Sequence, residues 1–238
     1  MGVRSWAVEP PPHDKRIKGP SGLKAKGRII GVIIHTTEMG PRKGSGDRHD
    51  IVEFLARKGI SVPVVTDPGG GSTIMVPLGK LGAGHSKGLS GKAWGVEQVG
   101  FAGWKKADWD RKPAQKMVAT TAAWAAWALA ELMDLPVTEK NLKRFVVGHA
   151  KDHKLGGTSD HWDPGPSYPW KRFRADAITY AGERLNEGEV QFRLVATKGD
   201  ERVAKTFRVK LSKRALAWIE KRAAAGWNVV VRKEKEPH

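Results

Sequence analysis

The clearest signal in the hydrophobic pattern is Ile29–Thr37, IIGVIIHTT, a nearly unbroken β-branched run ending in His35, Thr36 and Thr37. Such a run predicts a central strand buried on both faces. A shorter apolar run, Phe145-Val146-Val147, predicts a second buried strand with His149 at or just past its end. Val62–Thr66 and Ile74–Val76 predict two further strands, joined through the DPGGGS turn at 67–72. Pro63 cannot donate to a ladder, which predicts an edge position or a bulge there. Trp94–Phe101, WGVEQVGF, reads as another buried strand and encloses Glu97. Between these runs the period lengthens. A helix is expected from His49 to Lys58, capped by Asp47 or Asp50, with Ile51, Val52, Phe54 and Leu55 on its apolar face. Pro113 opens the longest helix, to Asp134, whose Trp124, Leu129, Leu132 and Met133 mark a broad core-facing side. Shorter helices are expected at Thr138–Lys143 and Lys171–Glu187.

The pattern changes character at both ends. Residues 1–28 are basic and interrupted by Pro10-Pro11-Pro12 and Gly19-Pro20, which predicts an extended arm with a short strand near Trp6. Gly188 marks a boundary. Beyond it Gln191–Thr197 and Val203–Val209 alternate as a hairpin, Ser212–Ala225 reads as a helix, and Trp227–Arg232 as a third strand. Three units are therefore expected: an arm at 1–28, a main domain at 29–187, and a small ββαβ unit at 188–238. About 50 residues are marginal for independent folding.

Composition adds two constraints. At 39% hydrophobic and 28% charged, the 238 residues are those of an ordinary globular protein with no membrane-length apolar run. The absence of cysteine excludes disulfides and thiolate ligands. The net charge of +17 speaks for a polyanionic partner, nucleic acid or bacterial envelope. Residues 189–238 alone hold 13 Lys/Arg against 6 Asp/Glu, a difference of +7.

The candidate chemistry gathers in Phe145–Trp170, FVVGHAKDHKLGGTSDHWDPGPSYPW, with His149, His153 and His161 beside Asp160 and Asp163. Asp163 precedes a proline, which biases it to extended geometry. A strand-end histidine and such an aspartate, joined by His35 from the first strand, supply the nitrogen and oxygen donors zinc accepts. A catalytic zinc needs three such ligands plus an open position. A lone buried histidine is more often a hydrogen-bonded core residue. His153, nearer to Asp163 in sequence, competes with His149 for the ligand role. Glu97 inside a buried strand is costly without a partner or a task, and one of the many lysines is the plain structural partner. His85, in the Gly79–Lys92 loop, is read equally well as a groove residue or an exposed loop histidine.

In order, HTT after the β-branched run, GVEQVG at 95–100, GHA at 148–150 and HWDPGPSYPW at 161–170 resemble the zinc amidases of the amidase-2 type. These are N-acetylmuramoyl-L-alanine amidases, related to peptidoglycan-recognition proteins and common among phage endolysins. The resemblance spans Ile29 to Tyr180. It implies an α/β fold, a mixed central sheet flanked by helices, with one zinc ion in a groove. It matches His35, His149 and Asp163 to the metal ligands and Glu97 to the catalytic glutamate. His161 stands where many members have a lysine that supports the transition state. His85, Thr36 and Trp162 would contact substrate. Pro63 departs from the histidine often found at that position.

The implied reaction is hydrolysis of the amide between muramic acid and L-alanine of the stem peptide. Peptidoglycan and anionic cell-wall polymers are the implied partners, and no nucleic acid is expected. The N-terminus lacks the apolar core of a secretory signal. The expected setting is therefore synthesis in a host cytoplasm and release to the wall through a holin. A non-catalytic recognition protein and a basic nucleic-acid-binding protein are the rival readings, and no nucleic-acid motif supports the latter.

Overall fold

A computed structural model describes residues 10–15, 22–23, 27–39, 47–186, 191–198, 201–208 and 228–233. Six strands make the main sheet: β1 (Asp14–Lys15), β2 (Gly31–Thr36), β3 (Val64–Thr66), β4 (Ser72–Ile74), β5 (Ala93–Gln98) and β6 (Val146–Gly148). Their order is β1-β4-β3-β5-β2-β6. The sheet is mixed, because β3 and β4 run antiparallel while the other neighbours run parallel. The β-branched run becomes β2, buried at every position and flanked on both sides. That is the environment in which a continuous apolar strand is stable.

Around the sheet lie α1 (Asp47–Arg57), α2 (Lys106–Trp109), α3 (Lys112–Trp127), α4 (Glu139–Phe145) and α5 (Trp170–Asn186). A π-helical turn, Ala128–Leu132, continues α3. Helix α1 closes one face, packing Ile51, Val52 and Leu55 on Val62, Val65 and Met75. Helix α3 closes the other, where Thr121 Oγ1 lies 2.9 Å from Thr66 Oγ1. Trp94, Trp124 and Trp127 pack there with ring centroids 5.5–6.1 Å apart. These tryptophans are buried core.

Two expectations shift for local reasons. Pro63 sits just before β3, which is an interior strand rather than an edge. The proline costs no ladder bond there, and its carbonyl accepts from the Met75 amide. Phe145 closes α4 rather than opening β6, so helix passes to strand without a loop.

The N-terminal segment contributes to the sheet through β1, which pairs parallel to β4, and Leu23 bridges Leu81. One compact unit spans Glu9–Ala181. The three remaining strands, β7 (Gln191–Lys198), β8 (Glu201–Arg208) and β9 (Asn228–Lys233), form an antiparallel sheet in the order β8-β7-β9. The helix expected at Ser212–Ala225 and the strand expected near Trp6 lie outside the described residues. Among the described residues no helix is long and apolar enough to cross a membrane.

Candidate metal centre and groove

Register brings the site together. In the parallel pair of β2 and β5, His35 stands opposite Glu97, and in β2 and β6 Ile33 stands opposite Val147. Paired residues share a face, and the face repeats every second residue. His35, Glu97 and Val147 therefore point the same way, and His149 follows two residues after Val147. It begins a short 3-10 segment, His149–Leu155, at the strand's end. Asp163 arrives from the loop before α5. Its carbonyl accepts from the Ala150 amide at 2.9 Å, and its Oδ2 accepts from the Thr36 amide at 3.2 Å. The Asp163–Pro164 peptide is cis. A side chain at Gly148 would collide with Pro164, since a Cβ there would lie 2.6 Å from the proline Cδ. Glycine at this position lets the DPGP turn close on the strand.

Three residues bring their donor atoms together. His35 Nδ1 and His149 Nδ1 are 3.0 Å apart. Asp163 Oδ2 is 3.3 Å from the first, and its Oδ1 is 3.2 Å from the second. All three residues are buried. Hydrogen bonding alone satisfies this set poorly. If both Nδ1 atoms carried protons toward the aspartate, two N–H groups would crowd each other at 3.0 Å. An ion held tetrahedrally at ~2.0–2.1 Å needs donors about 3.3 Å apart. The two histidine nitrogens stand 3.0 Å apart, each lies 3.2–3.3 Å from a different Asp163 oxygen, and one donor atom from each residue lies within 4.8 Å of the others, so the residues fit a zinc ion. His153 is exposed and outside this group.

The electrostatics follow from burial and proximity. Burial drives His35 below its ordinary value against the opposing pull of Asp163. Burial alone would raise Asp163, but hydrogen bonds from His149 and His35 hold it well below the usual carboxylate range. Among the described residues Glu97 has no such donors. Burial, with the nearby Asp163 and Glu38 carboxylates, raises it well above its ordinary value. A carboxyl of raised proton affinity beside a three-donor cluster is suited to accept and return a proton.

These residues line a groove of about 650 Å³, which His85, His161 and Glu38 also border. His161 is open to solvent, with its ring stacked on His149 at 4.4 Å and 16° and its Nδ1 3.6 Å from Asp163 Oδ1. Trp162 is 56% exposed beside it. Thr36 is buried and turns its hydroxyl to Glu38 Oε1 at 2.8 Å. His85 lies under the cluster, buried, with Nδ1 3.3 Å from His35 Nε2. Burial and the neighbouring His35 and His149 push it down to about 3.

Two site residues were missed in the sequence. Glu38 adopts φ 53, an uncommon conformation for glutamate, and its Oε1 also accepts from the Ala102 amide at 2.8 Å. Asp152 is buried behind His149, with Oδ2 4.0 Å from His149 Nε2. Its spacing of three residues from His149 was the available signal; for Glu38 there was none.

The sequence profile of the N-acetylmuramoyl-L-alanine amidase family, Amidase_2, matches residues 25–166. The chain belongs to this family. Peptidoglycan hydrolysis is the activity that membership supports, and peptidoglycan the ligand. Among solved structures, the hydrolase AmiA of Staphylococcus aureus, determined in complex with its ligand, shares the fold at a TM-score of 0.50. It is 18% identical, over 74% of this chain and 86% of that one. The endolysin N-acetylmuramoyl-L-alanine amidase LysCS of Clostridium intestinale superposes at a TM-score of 0.49 with 12% identity, over 71% of this chain and 96% of that one. No curated protein is similar enough in sequence to count as a match.

Proposed function

We propose that this amidase is zinc-dependent and cuts the amide between the lactyl group of N-acetylmuramic acid and L-alanine of the stem peptide. The observation that carries the reading is the convergence of His35, His149 and Asp163 donor atoms at zinc-ligand spacing, on the same sheet face as buried Glu97. When bound there, zinc supplies Lewis-acid polarisation of the scissile carbonyl and activation of water. Glu97 takes the proton of the attacking water and returns it to the departing amine. His161, open to the groove, donates to the oxyanion as charge develops. Trp162 offers an exposed apolar ring to the glycan or peptide.

The complete donor set argues against a recognition protein that binds without cutting. The +17 charge suits anionic wall polymers, and the +7 of residues 189–238, which follow the catalytic unit in sequence, gives that segment an anchoring role. A phage endolysin released to the wall through a holin is the setting that combines these traits. Digestion of purified wall by zinc-loaded protein tests the reaction. Mass spectrometry of the products should show free L-alanine amino termini and intact muramic lactyl groups. New ends at another amide or in the glycan would refute it. Wall binding by the full chain should weaken steeply as salt rises, because exposed charges are screened over ~8 Å at physiological ionic strength.

A further inference from the structure

The two histidines of the centre each have a second nitrogen, facing away from the donor cluster. On His35 this is Nε2, 3.3 Å from His85 Nδ1, with the two rings perpendicular at 87°. With Nδ1 of His35 given to the cluster, its one ring proton sits on Nε2, and His85 Nδ1 must accept it. On His149 the outward atom is Nε2, buried and without a hydrogen-bond partner among the described residues. The group it faces is the Asp152 carboxylate, 4.0 Å away. That carboxylate is itself held, accepting from Ser86 Oγ at 3.0 Å and from the Ser159 amide at 3.4 Å. His85 and Ser86 are adjacent in sequence. One turn therefore reaches both histidines, directly on one side and through Asp152 on the other.

The slot for His85 is built into the backbone around it. A Cβ at Gly95 would lie 2.9 Å from His85 Nδ1, and one at Gly82 would lie 2.9 Å from its Cδ2. Gly95 is on β5, two residues before Glu97, on the face that carries the site. The ring thus fills the space of a missing side chain under the groove, buried at 6% exposure with Nδ1 committed to His35. Ser86 is fixed in turn, its carbonyl accepting from the Leu89 and Ser90 amides.

We propose that His85 and Ser86 form the outer support of the metal centre. His85 orients His35 and fixes Nδ1 as its ligating nitrogen, while Ser86 aims Asp152 at His149. This rests on the zinc reading of His35, His149 and Asp163. It makes His85 a positioning residue rather than a contact for substrate. Outer partners of ligand histidines set ring orientation and tautomer, and their loss costs roughly 10–100-fold in metal affinity.

Zinc dissociation constants, measured on the full chain by competition with a chromophoric chelator, test the proposal. His85→Ala should weaken zinc roughly 10–100-fold. His85→Gln, whose amide oxygen can accept the same proton, should recover part of that loss. Asp152→Asn should weaken zinc several-fold, and Ser86→Ala less. The absorption spectrum of the cobalt-substituted protein should change in His85→Ala and move back toward wild type in His85→Gln. Melting of each zinc-free variant separates affinity from folding. Wild-type zinc affinity in His85→Ala overturns the proposal. So does an equal loss in the Ala and Gln variants, since the acceptor would then be irrelevant. A wild-type chain that binds no zinc sinks the underlying zinc reading as well, and is distinguishable because it needs no variant.

Discussion

Two polar clusters lie within the main unit, and both contain histidine and aspartate. In the first, Arg48 bridges Asp14 and Asp67, with Nη2 2.9 Å from Asp14 and Nη1 2.5 Å from Asp67. His49 adds a 2.8 Å contact to Asp14, and the Thr73 hydroxyl donates to the other Asp14 oxygen. Each negative group there meets a donor, and a guanidinium sits between the two carboxylates. In the second, His35, His149 and Asp163 turn their donor atoms toward one another, and among the described residues no lysine or arginine pairs with them. The first cluster is closed by its own cation and ties β1 and α1 to the sheet. Under the zinc reading, the second is completed by a cation from outside. Histidine beside aspartate is not in itself a metal signal. What distinguishes the cases is whether the protein supplies the balancing charge.

The largest expected effect tests what the open cluster is for. Glu97→Gln removes the proton acceptor and keeps the shape. Turnover of wall fragments should fall roughly 10²–10⁴-fold with zinc content unchanged. Near wild-type turnover would reduce Glu97 to a buried structural residue. His161→Ala should cost less, about 10²-fold in kcat with little change in zinc, because an exposed donor is partly replaced by water. A loss of zinc in that variant would instead make His161 part of the metal-binding set.

Breaking the closed cluster should leave metal alone and strike stability. Arg48→Ala strands Asp67, which is only 5% exposed, together with Asp14. Denaturant unfolding should show a loss of about 2–4 kcal/mol, toward the lower end of the range for a broken buried pair because Arg48 is partly solvated. An unchanged midpoint would mean the network contributes nothing. The smallest effect concerns Asp14. Burial would raise it, but hydrogen bonds from Thr73, His49 and Arg48 bring it from 3.8 to about 2. A depressed carboxylate stabilises the fold fully above its unfolded value and loses that contribution as pH falls through its folded value. Asp14→Asn should therefore lower stability at neutral pH by ~1 kcal/mol or less, given its partial exposure. The variant should also flatten the decline in stability between pH 4 and about 2, and a parallel decline in both proteins would contradict it.

The same contrast explains what the sequence could reveal. The β-branched run before His35 and the Val-Val-Gly run before His149 carry their burial in composition, so strand-end histidines were legible. The alanines and tryptophans of α3 announced a core helix in the same way. Pro63 misled because the ladder begins one residue later, a boundary that pairing decides. What favours His149 over His153 is register, which places His149 in line with Val147 on the face of His35. His85 was ambiguous because its slot is made by Gly82 and Gly95, glycines whose purpose appears only when a third element packs against them. Arg48, Asp14 and Asp67 gave no sign of closing on one another, since 34 and 19 residues separate the partners.

Metal stoichiometry tests the central claim most directly. Elemental analysis of the purified chain, reconstituted with zinc and desalted, should give one zinc per protein. The count should fall to near zero in His35→Ala, His149→Ala and Asp163→Ala, and stay at one in His49→Ala and His153→Ala. Zinc retained by the first three variants, or lost from either of the last two, would contradict the assignment of the open cluster as the metal centre.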